Sequence, residues 1–306
     1  MTDIREKNLK LLKENHVYNQ NMEHDACGVG LVVSTEGKKS RKVVESGLEA
    51  LKAVWHRGAI DADGKTGDGA GIHIEIPRDF FTEKIEITGH SHDSSELCVG
   101  MIFLPRNDYE AQEACRTIVE SELTKNNFNI YGWRQVPVNP SVLGAKAEQT
   151  RPEITQILFN HNNKNLKDKD LERALYETRR IIENKALSNQ QNDLYICSFS
   201  SKSIIYKGMF LAEAIDDFYP DLKDDRFISR LLGMGDQQTL LEVCDQDLKL
   251  LQRENLDCYF AEDSHEFGMV EHLKNYLDHQ FPRLVSCISP LIKLDTNLIL
   301  LLPFLL

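Results

Sequence analysis

The sequence predicts an α+β fold whose sheet is mixed or antiparallel. Three observations carry that expectation: strand-like segments outnumber helical ones, two of them face each other across a short polar turn, and the chain opens in the order strand, helix, loop, strand. Gly28 to Ser34 reads GVGLVVS, a short β-branched run closed by Thr35-Glu36-Gly37-Lys38, as a buried strand requires. A helix follows. Val43, Val44, Gly47, Leu48, Leu51, Val54 and Trp55 recur at helical spacing and give one face to a core, leaving Arg41, Glu45 and Lys52 to water. The glycine-rich stretch His56 to Gly71 comes next, and then Ile72, Ile74 and Ile76 alternate with His73 and Glu75 up to Pro77, the period of a half-buried strand.

Leu97 to Leu104 repeats the strand pattern, and Ala111, Ala114, Cys115, Ile118, Val119, Glu122 and Leu123 mark a second amphipathic helix before a strand at Tyr131 to Val138. Ile154 to Phe159 adds another strand. Asp168 or Asp170 is placed to cap a helix with the stripe Leu171, Ala174, Leu175, Thr178, Ile181 and Ile182. Leu194 to Phe199 then turns through Ser200-Ser201-Lys202 into Ile204 to Tyr206, which reads as a hairpin. Beyond Arg226 the composition changes: Leu240 to Leu251 and Met269 to Leu277 read as short helices without strands, and a boundary falls near residue 230.

Composition narrows the function classes. A chain of 306 residues suggests two domains, or one large domain with an appendage. Lys plus Arg at 36 against Asp plus Glu at 48 gives a net charge of −12, which repels nucleic-acid phosphates and anionic lipid. Seven cysteines, odd in number, widely spaced and without a C-x-x-C pair, fit a reducing cytoplasm. The charged stretch Met1 to Ala26 lacks the apolar run of a signal peptide. Leu298 to Leu306 is apolar but interrupted by Pro303 and well short of the roughly 18 residues that span a bilayer, so it reads as a packed or truncated terminus.

Cys27 stands at the start of the first strand, in Glu23-His24-Asp25-Ala26-Cys27-Gly28-Val29-Gly30. A cysteine on a strand is commonly a small buried hydrophobe, and a single histidine such as His24 in a polar leader is commonly bland. The leader changes the chemistry. Were it removed between Ala26 and Cys27, one residue would carry a thiol together with a free α-amine, which titrates at roughly 7.7 to 8.0 and can take the thiol proton. The thiolate could then attack a carboxamide carbon, release ammonia and leave a thioester for water to clear, provided N–H groups hold the oxyanion. The Gly64-Lys65-Thr66 run is no P-loop, because five residues rather than four separate Gly58 from Gly64. Asp61, Asp63 and Asp68 lack calcium-loop spacing, His90 and His92 have no further zinc ligands nearby, and Asp216, Asp217, Asp221, Asp224 and Asp225 read as a solvated acidic stretch.

The run Glu23 to Gly30, followed by His56-Arg57-Gly58-Ala59 and Asp61-Ala62-Asp63-Gly64-Lys65-Thr66-Gly67-Asp68-Gly69-Ala70-Gly71, resembles the amino-terminal glutaminase domain of the glutamate synthase large subunits. Gly132-Trp133-Arg134, Val142-Leu143-Gly144, Tyr195-Ile196-Cys197-Ser198, Tyr206-Lys207-Gly208-Met209 and Phe218-Tyr219-Pro220-Asp221-Leu222 continue the resemblance in order, over roughly residues 22 to 229. It implies a class II amidotransferase of the N-terminal-nucleophile type: a four-layer αββα Ntn-hydrolase sandwich in which a propeptide is removed to expose the cysteine. By that resemblance Cys27 is the nucleophile, with Arg57 and Gly58 positioning it. The family aminates 2-oxoglutarate in separate domains that carry FMN and an iron–sulfur cluster, so no cofactor is expected in this chain. L-glutamine is the implied substrate, and the remaining glutamate synthase domains or a small subunit are the implied partners.

After Arg226-Phe227-Ile228-Ser229 the family continues into an arginine-bearing His-Gln-Arg-Phe-Ser-Thr-Asn-Thr segment and a later His-Asn-Gly-Glu segment. This sequence has neither. In the family the arginine binds the substrate carboxylate and the Asn-Gly pair forms the oxyanion hole, each donor of which is worth about 10² to 10³ in rate. The expected organisation is therefore a leader at 1–26, a partial, incomplete amidotransferase domain at 27–229, and a divergent, mainly helical tail at 230–306 arising from truncation, frameshift or rearrangement. Two functions follow: a glutaminase portion of glutamate synthase, inactive alone, or a non-catalytic interaction protein or remnant on the same sandwich.

Overall fold

A computed structural model describes residues 29–53, 60–67, 69–91, 96–235, 292–295 and 298–301. The first strand, β1 (Val29–Ser34), leads into α1 (Arg41–Ala53), whose stripe Val43, Val44, Gly47, Leu48 and Leu51 is buried as its periodicity requires. Next come β2 (Ala70–Glu75), α2 (Arg78–Ile87), β3 (Leu97–Leu104), α3 (Tyr109–Lys125), β4 (Phe128–Gln135), α4 (Ala145–Thr150) and β5 (Glu153–His161). The remainder is α5 (Asp168–Ser188), β6 (Tyr195–Ser200), β7 (Ser203–Gly208), α6 (Ile215–Phe218), β8 (Leu231–Gly235), β9 (Ile292–Asp295) and β10 (Leu298–Leu301). Among the described residues no helix is long and apolar enough to cross a membrane.

The strands form two sheets, both antiparallel throughout. The first has the order β7-β2-β8-β1-β10-β9 and the second β4-β5-β3-β6. β3 is buried along its whole length because its alternate side chains enter different cores. Leu97, Val99, Met101 and Phe103 join a core with Ile72, Ile74, Tyr206 and Leu232 of the first sheet, whereas Cys98, Ile102 and Leu104 pack with Ile118 and Val119 of α3 and Leu171 and Leu175 of α5. A strand wetted on neither face needs no polar alternation, which is why its sequence has none.

Several expectations are corrected. The strand expected at Tyr131 to Val138 runs from Phe128 to Gln135, and the hairpin at Ser200-Ser201-Lys202 joins strands of different sheets. Neither Asp168 nor Asp170 caps α5: Lys167 holds the cap position without a side-chain bond, and both aspartates lie in the first turn, where the helix dipole favours them. Ile181, assigned to the buried stripe of that helix, is 42% exposed. α2 went unpredicted. It starts directly after Pro77 and buries Phe80, Phe81 and Ile85, but ten residues offer too few turns for a clear period. In the tail, the helices expected at Leu240–Leu251 and Met269–Leu277 lie outside the described residues, whereas every described tail element, β8, β9 and β10, is a strand.

Candidate functional site

Cys27, Arg57 and Gly58, the residues singled out from sequence, lie outside the described residues, as does Asp68. At one end of the first sheet Val29, Gly235, Gly71 and Lys207 stand opposite one another across β1, β8, β2 and β7. The next row on the same face is Leu31, Gly233, His73 and Ile205. Three glycines therefore occupy the two central strands of this patch, leaving a strip of sheet without side chains. Crowding does not demand Gly233: an added Cβ would meet the His73 Cβ at 3.7 Å, ordinary contact. Gly208 differs, since a Cβ there would come within 2.5 Å of the Phe210 ring.

Two titratable groups flank the strip. Lys207 is 1% exposed; its Nζ donates to Tyr195 Oη at 2.6 Å, and its carbonyl accepts from Tyr219 Oη at 2.8 Å. His73 is half-buried, and burial drives its ring down to about 4, so the imidazole is neutral around pH 7. Sequence reading missed both. Lys207 was visible only as part of the Tyr-Lys-Gly-Met run, and nothing local distinguishes His73 from any other residue of an alternating strand.

The glycine-rich loop is fastened from within. Ile60 bridges to Gly67, Asp61 N–H donates to Thr66 O at 2.8 Å, and Gly64, at φ +69°, turns the chain and donates to Asp61 O at 2.9 Å. Asp63 Oδ1 accepts from the amides of Lys65 at 3.0 Å and Thr66 at 2.7 Å, and Oδ2 accepts from Thr66 Oγ1 at 2.6 Å. Those bonds, the Thr66 hydroxyl first, hold the Asp63 carboxyl far below its ordinary range. The N–H groups of Gly64, Lys65 and Thr66 are thus already bonded, which removes the donors a phosphate cradle would use.

Outside, Lys146 Nζ reaches Asp61 at 2.7 Å, and Gly144 sits so close that a Cβ would lie 2.1 Å from Asp63 Oδ2. On the other flank a Cβ on Gly67 would lie 3.0 Å from Phe210 O. The loop is held between α4 and the segment after β7, and it delivers the chain into β2 beside the glycine strip.

The described cysteines are poor nucleophiles. Burial, with Asp193 adding to it, pushes the Cys115 thiol up to about 11; burial takes Cys197 to about 11 as well and also raises Cys98, so little thiolate exists at neutral pH. Among the described residues no group of three or more His, Cys, Asp or Glu side chains is placed to hold a metal ion.

Residues 27–234 match the class-II glutamine amidotransferases. The chain is 55% identical over 222 residues to the glutamate synthase [NADPH] large chain of Azospirillum brasilense, covering 72% of this chain and 15% of that one. It is 40% identical over 209 residues to a chloroplastic ferredoxin-dependent glutamate synthase of Arabidopsis thaliana, covering 68% and 13%, and 34% identical over 218 residues to the glutamate synthase [NADPH] large chain of Bacillus subtilis, covering 71% and 14%. The chain thus spans 13% to 15% of the length of these relatives.

Proposed function

Because the chain belongs to the class-II glutamine amidotransferases, we propose that it is the glutaminase module of a glutamate synthase, with Cys27 as nucleophile and L-glutamine as substrate. The observation that carries this reading is that the family match opens on Cys27 itself, as it should if the mature domain begins there. In the chemistry the α-amine of a processed Cys27 takes the thiol proton, sulfur bonds to the side-chain carboxamide carbon, and the C–N bond breaks as ammonia leaves with a proton. Water then cleaves the thioester to glutamate and regenerates the thiol.

Arg57, permanently charged, is suited to orienting the backbone of the nucleophile. The four-layer αββα sandwich belongs to this reading; what supports it is that one core joins α1 with residues of both sheets and the other joins the second sheet with α3 and α5.

The same reading includes a limit. The match closes at Met234, inside β8, and the family's carboxylate-binding and oxyanion segments have no counterpart in residues 230–306. The chain alone should release no ammonia from glutamine above a Cys27→Ser control; steady release abolished by that substitution would overturn the limit. The role of Cys27 is tested separately by intact mass. A chain beginning at Cys27 supports it, whereas one that keeps Met1–Ala26 favours a non-catalytic interaction protein. The partners that follow from this reading are the remaining domains of a glutamate synthase, which by the family resemblance would carry the FMN and iron–sulfur chemistry.

A further inference from the structure

β1 is a hazardous strand to leave at the edge of a sheet. Its residues, Val29-Gly30-Leu31-Val32-Val33-Ser34, carry no charge and no proline, the composition of segments that pair with copies of themselves. One side of it is satisfied by β8. The other is met by β10, in the register Leu31 with Leu301, Val32 with Leu300, Val33 with Ile299 and Ser34 with Leu298. β9, which precedes β10 in the chain, pairs with it antiparallel and is the outermost strand on this side among the described residues.

The exchange replaces one kind of edge with another. β9 is four residues long, two of them charged, Lys293 and Asp295, and its pairing with β10 shifts register between Leu298 and Ile299. A short strand, charges and a bulge are the devices by which natural sheets discourage edge-to-edge association.

We propose that residues 292–301 are an edge cap: a hairpin of the same chain that occupies the open side of β1 and keeps the protein from assembling through that strand. This function is independent of the glutaminase reading and lies in a segment outside the family match. The occupant is the chain's own β10, not that of a second copy.

Two measurements on the full chain test it. In the first, Val33→Cys is combined with Ile299→Cys, a facing pair, or with Leu301→Cys, two residues out of register. Facing residues of an antiparallel pair lie about 4.5 to 5.5 Å apart at Cα, within disulfide reach, and the displaced pair does not. Mild oxidation and peptide mapping should find the facing disulfide within single chains, at least about tenfold over the displaced one. Equal yields, or a facing disulfide only between chains, would overturn the proposal.

In the second, Ile299→Pro with Leu300→Pro removes ladder donors from β10. Amide exchange at Leu31–Ser34 should quicken at least about tenfold while β3 and β5 stay protected, and the mass in solution should rise with concentration. A chain that stays monomeric with β1 deprotected would show that the cap guards nothing. If the prolines unfold the whole chain, the crosslink decides alone: closure within one chain sustains the proposal and failure ends it.

Discussion

Glu75 shows how a single carboxylate can join distant parts of this chain. Burial pushes its pKa up, but Arg230 and Lys39 more than offset that, and the carboxyl ends below its ordinary range. Arg230 donates its backbone N–H at 2.6 Å and its guanidinium at 2.9 and 3.1 Å, and Ser229 Oγ donates at 3.3 Å. Glu75→Gln should cost about 1 to 3 kcal/mol, reduced from the fully buried case because Arg230 is partly exposed. A depressed folded pKa gives stability that is present above the unfolded value, near 4.5, and lost as pH falls through the folded one. Denaturant midpoints of the two proteins should therefore converge in acid and diverge above about pH 5. Glycines give a second contrast. An added Cβ at Gly47 would lie 2.3 Å from Leu232 Cδ2, so Gly47→Ala should destabilise by about 1 to 3 kcal/mol despite the better helix propensity. Gly233→Ala, which meets only ordinary contact, should stay within about 1 kcal/mol of the parent. The sequence marks both simply as glycine, because what a missing Cβ makes room for lies on another element.

Elements are fixed in place by side chains that reach between them. Glu172 of α5 accepts from Ser201 N at 2.7 Å, Ser201 Oγ at 2.6 Å and Ser200 Oγ at 2.9 Å, pinning the turn where the chain leaves one sheet for the other. Glu172→Ala should cost about 1 to 3 kcal/mol and speed amide exchange at Ser201 to Ser203, while the centre of β3 stays protected. A similar tie joins α3 and α5, where Glu122 accepts from Lys125 on its own helix and from Lys185 on the other. Glu122 was legible as part of the apolar stripe of α3, and it is indeed buried, but its partner 63 residues later was not. The helices α1, α3 and α5 and the strands β1 to β7 could be placed from periodicity because that signal is local, whereas α2, α4 and α6 are too short to show it. The β6–β7 turn looked like an ordinary hairpin because nothing in Ser200-Ser201-Lys202 records that the flanking strands pair with different neighbours.

For the whole molecule, the first sheet depends on β8. It lies between β1 and β2 and pairs with both, though it follows them by more than 150 residues. Without it two apolar strands each lose a neighbour. A chain ending at Ser229 should therefore lose cooperative unfolding, whereas one ending at Gly235, though it lacks the cap on β1 and should associate, should keep β1 and β2 joined and still unfold cooperatively; equal loss of cooperativity would show that the sheet does not depend on this strand. The sequence by itself determined where α1, α3, α5 and β1 to β7 lie and that the sheet would be mixed or antiparallel, since hydrophobic period and turn residues act within a few residues of one another; the short helices and the strands of the tail were not legible in it. It also determined the family, through Cys27 and the glycine-rich segment, because those motifs are contiguous. Tertiary structure decided what contiguity cannot encode: that Gly71, Gly233 and Gly235 share one strip beside His73 and Lys207, that β8 divides β1 from β2, and that the tail returns to cover β1. Each depends on which distant strands pair, and pairing is settled by burying both faces and satisfying both edges of the assembled sheet.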